Sequence, residues 1–132
     1  MKALDPLVKF NEYTKRFGAM KRWLRGDLDP VAPGLWMTFS RSEVNEKQCL
    51  ETLDNGGGVA VVFRTTRSEE LPDEWWGYPV IDGDRHDLRW YDREELGDWT
   101  SGYIVGLRAK GALIKSRSDF SVEPMNTTLI AA

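Results

Sequence analysis

Apolar and polar positions follow two different periods along this chain. After the start signal Asp5-Pro6, the run Leu7-Val8-Lys9-Phe10-Asn11-Glu12-Tyr13 is rich in strand formers. Phe17, Met20, Trp23 and Leu24 then recur at helical spacing, with Lys21, Arg22 and Arg25 on the other side and Gly26 placed to end the helix. Two prolines and a glycine make Asp27 to Gly34 a loop. Leu35-Trp36-Met37-Thr38-Phe39-Ser40 reads as a strand covered on both faces. Ser40 or Ser42 is positioned to cap a second helix, whose Val44, Cys49, Leu50 and Leu53 are expected to face inward. Asn55-Gly56-Gly57-Gly58 stops it, and Val59-Ala60-Val61-Val62-Phe63 is the plainest buried strand in the chain.

The second half is less regular. Thr65 to Glu70 is a polar connection, and Leu71 to Gly77 reads as an irregular aromatic loop around Trp75 and Trp76. Tyr78-Pro79-Val80-Ile81 is a short strand running into charge. Asp92-Arg93-Glu94-Glu95-Leu96 suggests one helical turn capped by Asp92, and Tyr103-Ile104-Val105-Gly106-Leu107 is another buried strand. Pro124 puts a last strand, Phe120 to Pro124, at an edge, and a loose tail follows Met125.

Strand, helix, strand, helix, strand predicts an α/β fold. The expected architecture is a partial (half) barrel or an open, mostly parallel sheet of about five strands with two main helices. It forms a single domain over 1–132, with an ordered core from about 7 to 124 and a tail at 125–132. Helix-length crossovers make the strands led by Phe10, Met37 and Val61 parallel neighbours.

Composition narrows the function classes. Of the 132 residues, 41% are hydrophobic, enough for a packed core. A net charge of -3 argues against general nucleic-acid binding. No apolar run approaches a membrane span and no secretory signal is evident, so the expected compartment is the cytoplasm. Cys49 is the single cysteine, which rules out an internal disulfide and reads as a small buried apolar residue. Gly56-Gly57-Gly58 precedes a strand instead of following one, and no phosphate loop is present, so no cofactor is expected.

Candidate chemistry gathers at the carboxyl ends of the expected strands, where such sheets bind ligands. These ends are Thr14-Lys15-Arg16, Ser40-Arg41-Ser42, Arg64-Thr65-Thr66, Asp82-Gly83-Asp84 and Arg108-Ala109-Lys110. The segment from Asp82 to Arg89 holds the only histidine, His86, among Asp82, Asp84 and Asp87. Four readings are open. The four side chains could hold a hard cation, although the calcium-loop pattern fails. Asp84 or Asp87 with His86 could serve as acid and base. The carboxylates could accept hydroxyl hydrogens while Arg89, Arg41 or Lys110 holds a small anionic ligand. The plainest reading is a tight turn with Asp87 paired to Arg85 or Arg89. Trp75 and Trp76 could anchor a host or phage protein, or roof a small core.

The order of Tyr13-Thr14-Lys15-Arg16, Met37-Thr38-Phe39-Ser40-Arg41-Ser42, Gly58 to Phe63, Pro79-Val80-Ile81-Asp82-Gly83-Asp84 with Asp87 and Arg89, and Val105 to Gly111 resembles the C-terminal half of phage and prophage gene product proteins. Those look like relatives of the radical-SAM half-barrels. The likeness implies a partial α/β barrel and a phage or prophage origin. The family's clustered cysteines are missing here, so iron–sulfur or radical chemistry does not carry over. The function expected is therefore a non-enzymatic binding or interaction module. The alternative is a small enzyme, or a remnant of one, acting on a phosphorylated or nucleotide-like ligand. A first strand without a neighbour on one side further suggests a homodimer through that strand or through the Trp75-Trp76 loop.

Overall fold

The computed structural model describes residues 8–65, 70–97, 101–109 and 121–122. The expected tail lies outside the described residues. The runs of strand formers become β1 (Phe10–Thr14), β2 (Leu35–Ser40), β3 (Gly58–Phe63), β4 (Glu74–Trp75), β5 (Tyr78–Asp82), β6 (Tyr103–Arg108) and a short β7 (Ser121–Val122). The helices are α1 (Phe17–Leu24), α2 (Glu46–Asp54) and α3 (Asp92–Leu96), and a 3-10 turn at Arg89–Tyr91 leads into α3.

Strand order is β1-β2-β3-β6-β5-β4, with β7 pairing the end of β3. As expected, β1, β2 and β3 are parallel neighbours joined through α1 and α2. β6 inserts in parallel between β3 and β5, and β4 runs antiparallel to β5. The sheet is open: β1 and β4 are its two edges, and no pairing between them closes a barrel among the described residues. No described helix is long and apolar enough to cross a membrane.

Residues paired in register on parallel strands share a face, and the face alternates along each strand. One face therefore carries Met37 and Phe39 of β2, Val59, Val61 and Phe63 of β3, and Ile104 of β6. With Met20 of α1 and Cys49 and Leu53 of α2 these form the main core. Full burial of each such large side chain stabilises the fold by roughly 1.5–3 kcal/mol. The other face carries Asn11 and Tyr13, Thr38 and Ser40, Ala60 and Val62, Val105 and Leu107, and Ile81. A smaller cluster of Ala60, Ile81, Tyr103 and Val105 forms there, with Leu96 of α3 against it.

The segment 83–91 straps this second face. It leaves β5 and reaches β1, where Asn11 Oδ1 accepts from Arg89 N at 3.1 Å and Asn11 Nδ2 donates to Asp87 O. Three strands lie between β5 and β1 in the sheet. The strap on one side and the ends of β1 and β2 on the other stand around β3 and β6, which makes this face concave.

Several local expectations need correction. Trp75 and Trp76 do not lie in an irregular loop. They end β4 and open a two-residue hairpin, in which Trp75 pairs with Tyr78 while Trp76 (φ 56°) and Gly77 (φ 82°) take left-handed backbone angles. Two positive angles in succession make the turn whose twist matches that of the strands it joins. Trp75 is 1% exposed and packs edge-on against Phe63 at 5.1 Å, which makes it a roof of the core. Helix α2 is not capped by Ser40 or Ser42: Asn45 precedes it, and its Oδ1 accepts from Ser42 N at 2.7 Å. Val44 and Leu50 do not face inward but are 87% and 41% exposed. Asp92 does not cap α3 either; it is the first helical residue and is fully buried.

Candidate functional site

Because β1, β2, β3, β6 and β5 are parallel, their carboxyl ends share one edge. There, on the concave face, a cleft of about 430 Å³ opens. Its floor is small and apolar: Ala60 and Val62 from β3, Leu107 from β6, and Gly83. Its walls are polar. Tyr13 comes from β1, Ser40 and Arg41 from the end of β2, and Asp84 and Asp87 from the strap. A groove of about 220 Å³ between α1 and α2 is less suited to a ligand, because its charged Lys21 and Glu51 face each other at 3.7 Å.

Arg41 continues β2, its N–H donating to Ala60 O at 2.9 Å. Its side chain is only 5% exposed and meets Glu46 Oε2 at 3.0 Å, so a cation is held inside the cleft wall. Across the cleft, Asp82 and Asp84 form a tight turn, with Asp84 N donating to Asp82 Oδ1 at 3.0 Å. Both carboxylates also hold Arg108, whose Nη1 lies 3.0 Å from Asp82 and 3.2 Å from Asp84. Partial burial opposes the charge on Asp82, but the hydrogen bonds from Arg108 and Asp84 N outweigh it and keep its carboxyl below the usual range. Burial pushes the Tyr13 hydroxyl up despite the opposing Arg89 charge, and Asp87, Asp92 and Asp84 add to the rise. Tyr13 is thus a neutral hydrogen-bonding wall.

Of the residues singled out in the sequence, Arg41, Asp84 and Asp87 come together in this cleft. Asp82 stands beside it in the Arg108 cluster. His86 is not among the lining residues. Its Nδ1 accepts from Leu88 N at 3.1 Å and its Nε2 faces Glu95 at 3.8 Å. Asp87 pairs with neither Arg85 nor Arg89, because Arg85 meets Glu95 at 3.5 Å and Arg89 faces Asp92. Lys110 lies outside the described residues. Trp75 and Trp76 belong to the β4–β5 hairpin, where Trp76 leans on Trp75 at 6.0 Å. Among the described residues no three His, Cys, Asp or Glu side chains are grouped so as to hold a metal ion.

The sequence places Ser40 at one of the polar strand ends without assigning it a role, and it gives no role to Tyr13, one residue before such an end. Sequence reasoning missed the buried pair beneath the strap. Arg89 is 1% exposed and Asp92 0%, with Nε and Oδ1 3.7 Å apart. Arg89 Nη2 donates to His86 O and, at 3.4 Å, to Gly83 O. Among the described residues its Nε and Nη1 lack a hydrogen-bond partner, as do both Asp92 oxygens; the Tyr103 hydroxyl faces the carboxylate without completing a bond of normal geometry. Burial pushes the Asp92 carboxyl up to about 7. Arg89 opposes this, Glu95 adds to it, and Arg93 and Tyr103 pull it back.

The chain matches the sequence model of gene product 88, a phage-type family, over residues 3–122. It belongs to the gene product 88 family. The matched segment includes every residue that lines the cleft, and the whole strap. No curated protein and no solved structure matches the chain. The family description names a gene product and no reaction, so the chemistry of this gene product 88 protein has to be argued from the cleft.

Proposed function

We propose that this member of the gene product 88 family is a cytoplasmic, non-enzymatic binding module of phage or prophage origin. Its ligand is a small polar molecule with an anionic group, held in the cleft at the carboxyl edge of the sheet. The observation that carries this reading is Arg41, a cation almost wholly buried in a wall that faces Asp84 and Asp87. A cleft of about 430 Å³ suits a ligand of sugar-phosphate or nucleotide size. Arg41 would take the anion, the carboxylates would accept hydroxyl or amine hydrogens, and the Tyr13 ring would form an apolar side.

Catalysis on the same ligand has less support. His86 does not line the cleft, and the hydroxyls of Ser40 and Tyr13 have no imidazole beside them to act as a base. Among the described residues no strand pairs with the outer edge of β1, and Phe10 and Tyr13 are exposed there; this supports a homodimer, which light scattering over a concentration range would detect.

A thermal-shift screen with sugar phosphates and nucleotides tests the binding reading. A ligand at a hundred times its Kd contributes about 2.7 kcal/mol, a clear rise in Tm. The expected result is stabilisation by at least one anionic class that Arg41→Gln and Asp87→Asn both abolish. Equal shifts in wild type and variants, or no shift with any compound, would overturn it.

A further inference from the structure

The cleft has a second cation behind its inner wall. Gly83 and Leu107 both line the cleft. A Cβ built on Gly83 would lie 2.9 Å from Leu107 Cδ2, 2.9 Å from Arg89 Nη1 and 2.5 Å from Val105 Cγ1. Gly83, having no side chain, lets the Arg89 guanidinium pack directly behind it, although Arg89 does not itself line the cleft. Among the described residues Nη1 has no hydrogen-bond acceptor, and Nε lies 3.7 Å from Asp92 Oδ1, beyond hydrogen-bond reach. Two opposite charges buried at 3.7 Å, each short of hydrogen bonds, recover little of their desolvation cost.

We infer that Arg89 and Asp92 form a proton-coupled anion switch behind the inner wall of the cleft. An oxyanion seated against Gly83 competes with Asp92 for the guanidinium, and Asp92 takes up a proton as the anion binds. This rests on the binding reading above and names its regulation. The charged and titratable groups that face Asp92 are Arg89 from the 3-10 turn, Arg93 and Glu95 from α3, Tyr103 from β6 and Tyr13 from β1. Arg93 is already engaged, donating to Ser101 O at 3.1 Å and to Gly56 O. Arg89 is the nearest and most deeply buried counter-charge, so drawing on it moves Asp92 towards the neutral form. A carboxyl pushed by burial to about 7 needs only a modest further push to stay protonated above neutrality. Linkage is reciprocal: if anion binding takes up a proton, lowering the pH must tighten anion binding. In cells this would favour the loaded state when the pH falls below neutral.

Sulfate is the probe, because it remains a dianion across the range used. Titration calorimetry on the full chain between pH 6.5 and 8.5 should show sulfate affinity falling above pH 7, by up to about tenfold per pH unit. At pH 7.5, buffers of different ionisation enthalpy should report net proton uptake on binding, a measurement that needs no variant. Asp92→Asn should bind sulfate at least as tightly as wild type at pH 6.5, with the pH slope gone. A slope that survives in Asp92→Asn, or no proton uptake in wild type, overturns the switch and leaves the cleft reading standing. No response to sulfate alongside Arg41-dependent stabilisation by larger anions also overturns the switch alone. No response to any anion overturns both.

Discussion

The two faces of the sheet are made by alternate residues of the same strands, yet they differ in almost every physical respect. The face under α1 and α2 presents Met37, Phe39, Val59, Val61, Phe63 and Ile104 to Met20, Cys49 and Leu53, a cluster of buried apolar side chains. The concave face presents Thr38, Ser40, Ala60 and Tyr103, and it buries an arginine and an aspartate beneath a strap of mostly irregular backbone. A helix can cover a sheet with a continuous apolar stripe. A strap with unpaired backbone groups cannot, so it brings polar partners with it and leaves a cleft where it does not reach. Apolar burial is concentrated on one face, and a buried arginine and aspartate lie on the other.

Adjacent residues on opposite faces give the sharpest way to break that comparison. Phe39→Ala removes a fully buried ring from the helical side and should cost about 3–5 kcal/mol in urea denaturation. Ser40→Ala, one position on, should cost less than about 1 kcal/mol while altering ligand-induced stabilisation. Comparable costs at the two positions would mean that the concave face contributes to stability as the helical one does.

The buried pair gives the next largest effect, and its sign depends on pH. The folded pKa of Asp92 is raised from 3.8 to about 7. Its contribution to stability is therefore fully present below pH 3.8 and is lost as the pH rises through 7, by roughly 4 kcal/mol at most. Asp92→Asn should flatten this part of the profile between pH 4 and 8. Arg89→Met strips the counter-charge from Asp92 and the donor from Gly83 O and His86 O, and should cost about 3 kcal/mol at pH 8. The cost should be smaller at pH 5, where a protonated Asp92 needs no cation. A pH-independent cost for Arg89→Met would show that the pair acts through packing alone.

Much of the helical side was legible in the sequence and much of the concave side was not, for a physical reason. Apolar periodicity marks elements that pack by burial, which is why β1, β2 and β3 with their two crossovers are readable. The approach of Arg41 and Asp84 follows from parallel strands, which must end on one edge, whereas Asp87 is brought in by the strap. The strap has no period to read. Its course to Asn11 is fixed by hydrogen bonds between residues far apart in the chain, and nothing local announces them. Arg89 and Asp92 do stand at helical spacing, and that was the one local sign of a pair. The β4–β5 hairpin was hidden because Trp76 occupies a left-handed turn position that usually belongs to Asn, Asp or Gly.

The smallest expected effect tests the one place where periodicity misled on the helical side. Val44 and Leu50 look like inward positions if α2 starts at a serine cap. Asn45 shifts the start instead. Its Oδ1 takes Ser42 N, its Nδ2 donates to Ser40 O at 2.9 Å, and the helix proper begins at Glu46. Val44 is thereby left in the turn, and the buried stripe runs through Cys49, Thr52 and Leu53. Val44→Thr and Leu50→Gln should each change stability by less than about 0.5 kcal/mol, whereas Leu53→Ala on the same helix should cost about 2–5 kcal/mol. A cost above about 1 kcal/mol at Val44 or Leu50 would mean that the outer face of α2 is covered in solution. The helical side would then be an interface as well as a core, and the division of labour between the two faces would fail.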